Sequence, residues 1–152
     1  MSLNGSVAYS SSDPFGIQNI FKLPTNAAGT PSGLITPNTQ NAAGQWVDRP
    51  SRLYFALGML TNTYPIYLKL YDKASAPVVG TDIPLLTLPL TSNTIWNGTT
   101  QLAAPLSFEF SFADIGISFK HGIGYSITKL PADADATAIL AGDVTGLNIA
   151  WQ

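Results

Sequence analysis

Apolar side chains recur at every second position in several runs of the chain after residue 51. The clearest run is 105–113, where four large apolar residues alternate with small or polar ones. These four are Leu106, Phe108, Phe110 and Phe112. A period of two is that of a β-strand with one buried face, and no stretch keeps a helical period for more than two turns. The alternation therefore predicts an all-β fold.

About seven or eight short runs of this kind are separated by residues typical of turns. The runs 117–119 and 123–127 flank the turn Lys120-His121-Gly122 and predict a hairpin. Pro84 and Pro89 predict that the run 83–90 is an edge strand or a bulged strand, because proline cannot donate to the ladder. The pattern predicts an antiparallel two-sheet β-sandwich, with a jelly roll favoured over an immunoglobulin-like arrangement.

Residues 1–48 differ from the rest and predict an extended N-terminal arm with a few short strands, followed by a β-sandwich domain over residues 49–152. A length of 152 residues fits one such domain. The arm is rich in proline and carries no charge between Lys22 and Asp48. Its apolar residues suit anchors on a neighbouring surface, whereas the alternative is a loose leader. The predicted interface anchors are Phe15, Ile17, Phe21, Leu34, Ile35 and Trp46.

Charged residues make up only 11% of the chain, against about 25% in an ordinary soluble domain. Because protein interfaces are depleted of charge, the surface is expected to be covered by partners, or else to belong to a neutral monomer. A net charge of −2 with scattered Lys and Arg predicts neither a nucleic acid nor a membrane as partner. The N-terminal residues lack the pattern of a secretory signal, which predicts synthesis in the cytoplasm.

The sequence predicts no catalytic residue, no cofactor and no metal ligand set. It contains no cysteine, and its single histidine, His121, lies between turn residues. The single glutamate, Glu109, lies on the polar face of a predicted strand. Asp133 and Asp135 have the spacing of calcium ligands but lack the glycine and glutamate of an EF-hand loop, so turn stabilisation is the alternative role.

Tyr67 and Tyr71 share one face of a predicted strand and are possible surface aromatics. Exposed aromatic rings could stack on sugars, whereas a face covered by a neighbouring element or subunit has the same pattern. Both alternatives remain open from the sequence.

Two stretches resemble a group of small virion structural proteins of tailed bacteriophages, some of which act as capsid cement or decoration proteins. The first is YLKLYDKASAPVVGTDIP at 67–84. The second comprises GISF at 116–119, GIGYSIT at 122–128, ADADAT at 132–137 and AGDVTGLN at 141–148. The chain departs from the group at Lys129-Leu130, where a small glycine-rich turn is expected.

The resemblance implies a non-enzymatic capsid cement protein on the virion surface, made in the bacterial host cytoplasm. It implies binding to the major capsid protein and to further copies of the chain, as a homotrimer laid over joints between capsid subunits. The alternative is a phage tail, baseplate or fibre module that binds host glycans. A free carbohydrate-binding domain or hydrolase fragment is a third hypothesis.

Overall fold

A computed structural model describes residues 19–24, 27–37, 40–113 and 115–152. Within these residues the chain forms eleven β-strands and no helix. The strands are β1 (Asn19–Lys22), β2 (Ser32–Leu34), β3 (Ser51–Leu60), β4 (Ile66–Asp72), β5 (Leu86–Leu90), β6 (Asn93–Trp96), β7 (Gln101–Ala104), β8 (Leu106–Ser111), β9 (Ile117–Phe119), β10 (Ile123–Thr128) and β11 (Val144–Trp151). Their pairing is antiparallel throughout. The predicted all-β, antiparallel class is confirmed.

The strands form two main sheets and one small sheet. In the first main sheet the order is β1-β11-β3-β8, and β9 also pairs with β3, ahead of β8 along that strand. In the second main sheet the order is β2-β10-β4-β5. Strands β6 and β7 pair with each other as a separate hairpin. The chain changes sheet at most of its connections, so neighbours in a sheet are distant in sequence.

One hydrophobic cluster joins the two main sheets and gives the fold a β-sandwich-like arrangement. The first sheet contributes Leu53, Ala56, Leu60, Phe108, Phe119, Val144, Leu147, Ile149 and Trp151. The second sheet contributes Ile66, Leu68, Leu70, Leu88, Leu90, Ile123, Tyr125 and Ile127. Because apolar burial is the main favourable term in folding, this cluster holds the two sheets together.

The turn at Lys120-His121-Gly122 connects the two sheets rather than the two strands of a hairpin. Strand β9 pairs with β3 in the first sheet, whereas β10 pairs with β4 and β2 in the second. Gly122 has a φ of 143°, and a Cβ there would lie 2.8 Å from the carbonyl oxygen of Lys73. The crossing therefore requires glycine for both its conformation and its close approach, and the hairpin prediction for these runs is wrong.

Part of the segment predicted as an arm pairs with the sheets. Strand β1 lies beside β11 and strand β2 beside β10, each at a sheet edge. Leu23 and Ile35, which follow these strands, are buried in the shared cluster. Residues 40–50, in contrast, are exposed throughout. Residues before Asn19 lie outside the described part of the chain.

The alternation in β8 makes a graded prediction about stability. Phe108 is buried in the cluster, whereas Phe110 is only partly buried and packs against its margin. We expect Phe108→Ala to lower the free energy of unfolding by about 3–5 kcal/mol, the usual range for a core aromatic truncation. Phe110→Ala should cost less. Urea unfolding measures both values, and equal costs, or a cost near zero for Phe108→Ala, would contradict the placement of β8.

Candidate interaction surface

The β6–β7 hairpin is the most exposed regular element of the described chain. Ile95 pairs with Leu102 across its two strands, and Trp96 pairs with Gln101. The side-chain oxygen of Asn97 accepts hydrogen bonds from the backbone N–H groups of residues 99 and 100, at 3.0 and 2.8 Å. Gly98 supplies the positive φ of 92° that the turn requires. The tip of the hairpin is thus fixed by its own residues.

The apolar side chains of this hairpin face solvent in the isolated chain. Trp96 is 64% exposed, Ile95 58% and Leu102 49%. No charged residue occurs between Asp82 and Glu109, so the hairpin and its flanks are uncharged. A lone two-stranded hairpin is only marginally stable in water. Large apolar side chains on such an element therefore fit a surface that a partner covers.

A second exposed apolar surface lies on the outer face of the first sheet. Ile20 on β1 and Leu57 and Met59 on β3 are exposed there, and Phe55 is partly buried. A register shift between β11 and β3 at residues 145–148 makes a β-bulge beside them. The bulge opens a groove of about 690 Å³ lined by Leu57, Gly58, Met59, Ser107, Phe108, Glu109, Thr145 and Gly146.

The predicted arm anchors have different positions. Phe15 and Ile17 lie outside the described residues. The ring centres of Phe21 and Tyr125 lie 4.9 Å apart. Tyr125 belongs to the core cluster, and Phe21 packs against it. Ile35 is buried in that cluster, while Leu34 is partly buried on β2. Of the four anchors in described residues, Trp46 alone is exposed as a large apolar side chain, at 47%.

Tyr71 is completely buried, so it does not belong to a surface aromatic platform. Its hydroxyl lies 2.9 Å from the Ser126 hydroxyl, and burial raises the pKa of Tyr71. Tyr67, two positions before Lys69 on the same face, is partly buried. The period of two correctly placed both tyrosines on the non-core face of β4, but it could not show that other parts of the chain cover that face.

The segment 129–137 covers part of this face through a buried lysine. The Nζ of Lys69 donates hydrogen bonds to the carbonyl oxygens of Ala132 at 2.6 Å and Asp135 at 3.2 Å. Lys69 is fully buried, and this burial lowers its pKa. The Asp135 carboxylate accepts hydrogen bonds from the backbone N–H groups of Leu130 and Thr137. The Lys69 contacts hold the segment against the second sheet, whereas the Asp135 contacts fix the segment's own conformation.

The other polar residues considered for chemistry are separated in the fold. His121 Nδ1 lies 2.9 Å from an Asp48 carboxylate oxygen, at the crossing between the sheets. Glu109 lies on β8, on the outer face of the first sheet. No cluster of three or more His, Cys, Asp or Glu residues is found among the described residues. His121 and Glu109 therefore do not share a site.

Tyr64 and Asp143 form a polar contact that the sequence did not indicate. The Tyr64 hydroxyl donates to an Asp143 carboxylate oxygen, which also accepts from the backbone N–H of Leu140 at 2.8 Å. Burial is the main cause and this hydrogen bond the second cause that together raise the pKa of Tyr64 to about 12. The Lys129 ammonium lies 4.5 Å from the centre of the Tyr64 ring. The contact joins the β3–β4 connection to the start of β11.

The hairpin had a usable signal in the sequence. Asn97-Gly98 between short runs with apolar residues is a strong short-range hairpin signal. The bulge beside Leu57 had no comparable signal, because it depends on the pairing of β11 with β3.

The chain matches no family model, and it has no significant match among curated proteins or solved structures. A search of the described residues for helices that could span a membrane found none.

Substitution of the buried Lys69 should loosen the segment 129–137 without affecting the rest of the fold. We expect Lys69→Met, which keeps an unbranched side chain but removes the ammonium, to free the segment 129–137 from the second sheet. Amide hydrogen exchange should become faster at Leu130, Asp135 and Thr137, while exchange in β10 changes little. Lys120→Met, at an exposed position, is the control. Unchanged exchange in this segment would show that Lys69 does not hold it.

Proposed function

We propose that the chain is a non-enzymatic structural protein of a phage virion, a capsid cement protein that binds the major capsid protein. The observation that carries this proposal is the uncharged, apolar β6–β7 hairpin that projects from a well-packed core. A protein that acts by adding contact area needs exposed apolar side chains on a stable scaffold, and the hairpin has both. The resemblance in residues 67–84 and 116–148 supplies the virion context.

We further propose that the scaffold is a jelly roll. If the hairpin is set aside and β8 and β9 are counted as one edge strand, eight strands remain. One sheet then contains the first, eighth, third and sixth strands, and the other contains the second, seventh, fourth and fifth. Alternation of this kind between two sheets is typical of double-sheet jelly rolls, which occur in viral capsid and lectin domains.

In this proposal the hairpin inserts between capsid subunits. Burying a large apolar side chain contributes about 1.5–3 kcal/mol relative to leaving it exposed. The hairpin has three such side chains, Ile95, Trp96 and Leu102. The free energy gained by burying them would offset part of the entropic cost of association. Since a shell offers many equivalent positions, contacts that are weak singly stabilise the whole particle.

The proposed partners are the major capsid protein and further copies of the chain, with the homotrimer implied by the resemblance. Neither a nucleic acid nor a membrane is among the proposed partners, because the chain carries only seven basic residues and a net charge of −2. Exposed Trp46 is a second candidate contact, since it lies in the exposed segment 40–50.

The alternative function is a tail, baseplate or fibre module that binds host glycans. The specific observation in its favour is Trp96, whose exposed ring lies beside Gln101 on the paired strand. An aromatic face next to an amide suits a sugar ring, since the ring stacks and the amide hydrogen-bonds. Tyr71 does not support this alternative, because it is completely buried, and Tyr67 is partly buried.

Substitutions of the exposed apolar residues in the β6–β7 hairpin should weaken capsid binding without lowering the stability of the fold. Leu102→Ser and Trp96→Ser should leave the thermal midpoint nearly unchanged, because both side chains are exposed. Each should weaken binding to undecorated capsids by about tenfold or more, the size expected when a central apolar contact is lost. Leu140→Ser is the matched control, since Leu140 is also an exposed leucine but lies far along the chain, before β11. Co-sedimentation with purified capsids measures the binding.

Two outcomes would count against the proposal. Equal binding by the Leu102→Ser, Leu140→Ser and unsubstituted proteins would show that the hairpin does not attach the chain. Binding to a glycan array that Trp96→Ser abolishes, without any binding to capsids, would favour the glycan-binding alternative.

A further inference from the structure

The outer face of the first sheet has an ordered arrangement of side chains. The pairing of the four strands sets three rows across the sheet. The first row is Ile20, Ala150, Phe55 and Ser111; the second is Lys22, Asn148, Leu57 and Glu109; the third is Thr145, Met59 and Ser107. The centre of the face is thus largely apolar, and the middle row has one charge at each end.

The two charges of the middle row have opposite signs and lie on opposite edge strands. Lys22 is the last residue of β1, and Glu109 lies on β8. Both side chains are exposed, and neither forms a salt bridge with another described residue. Four strands spaced about 4.8 Å apart put these two strands roughly 14 Å from each other, too far for a direct ion pair. The face therefore has one positive and one negative border.

We propose that this face binds the same face of a second copy of the chain, about a twofold axis parallel to the strands. Such an axis places β1 of each copy over β8 of the other. Lys22 of each copy then faces Glu109 of the other, so the contact contains two symmetry-related ion pairs. An axis across the strands would instead place Lys22 over Lys22 and Glu109 over Glu109. Charge complementarity thus selects both the occupant and the axis.

The apolar centre fits this arrangement. Packed sheets lie about 10 Å apart with strands rotated by about 30°, a spacing that side chains from both faces fill. Leu57 and Met59 lie on β3, next to the centre of the sheet, and therefore meet their counterparts near the axis. The groove opened by the bulge beside them leaves room for a side chain from the facing copy.

The face is small for a permanent dimer. Four strands and three rows cover roughly 400 Å² on each copy, about half of a standard interface. We therefore expect a weak dimer that salt weakens further, since two exposed ion pairs contribute to it. Such contacts suit a protein that is bound at many neighbouring positions, but the inference does not depend on the proposed capsid role.

The test is a charge exchange in the full chain, measured by sedimentation equilibrium over a range of concentrations. Lys22→Glu and Glu109→Lys should each raise the dissociation constant of the dimer about tenfold. The double variant Lys22→Glu/Glu109→Lys should restore it to near the starting value, because the signs are again opposite. Failure of the double variant to restore association overturns the proposal. A chain that is monomeric at every concentration also overturns the proposal.

Crosslinking distinguishes the twofold contact from an edge-to-edge ring. Because the chain has no cysteine, Leu57→Cys introduces a single reactive thiol near the proposed axis. A bismaleimide with a spacer of about 10 Å, the distance between packed sheets, should then link two copies. Val78→Cys, at an exposed loop position, should not crosslink.

An edge-to-edge ring keeps the thiols of Leu57→Cys at least the width of a sheet apart, so no crosslink would form. The absence of a crosslink with Leu57→Cys therefore overturns the twofold arrangement, also in a chain that forms the proposed homotrimer through other surfaces. Met59→Cys gives a second position with the same expectation. Loss of capsid binding by the hairpin variants would leave these results unchanged, so the two proposals fail separately.

Discussion

The packing of two main sheets against each other through one apolar cluster is the constraint on which the rest of the structure depends. Each sheet has one apolar face whose exposure to water would be unfavourable, and each sheet buries the apolar face of the other. Strands from almost the whole described chain take part, including β1 and β2 from its N-terminal region. Even the crossing at Gly122 follows from this constraint, because the chain must pass from one sheet to the other within a short turn.

Because the core cluster is well packed, the large apolar residues that remain exposed outside it call for a different explanation. Ile95, Trp96 and Leu102 do not lie in the cluster, and the sandwich does not need them for its packing. Scattered exposed apolar residues are normal, but here they share one hairpin inside a long uncharged stretch. The outer face of the first sheet is a second such case, with charges at its borders. Both surfaces have properties of interfaces, and the low overall charge of the chain agrees with them.

Local patterns predicted the strands but not their partners. The alternation of Leu106, Phe108 and Phe110 identified β8, since each side chain's face depends only on its own position. The crossing between β9 and β10 could not be predicted, because a tight turn with Gly122 looks the same inside a hairpin. The edge positions of β1 and β2 were missed for a related reason. Short segments flanked by prolines have too few residues to show a period.

The candidate surfaces were predictable to different degrees. Asn97-Gly98 gave a local signal for the hairpin, but exposure of Trp96 depends on how the hairpin projects from the sandwich. Burial of Lys69 depends on the segment 129–137, which lies more than fifty residues away in sequence. The ends of the Lys22-to-Glu109 row come from β1 and β8, which are joined only through β11 and β3. Such relations follow from pairing and are not contained in any single segment.

We propose that the chain acts by occupying many equivalent positions on a shell. Quantitative mass spectrometry of purified virions, with the major capsid protein as internal reference, measures its copy number most directly. The account predicts a ratio to the major capsid protein within a small whole-number factor of one, hence hundreds of copies on a typical shell. A few to tens of copies per particle, or none, would contradict it.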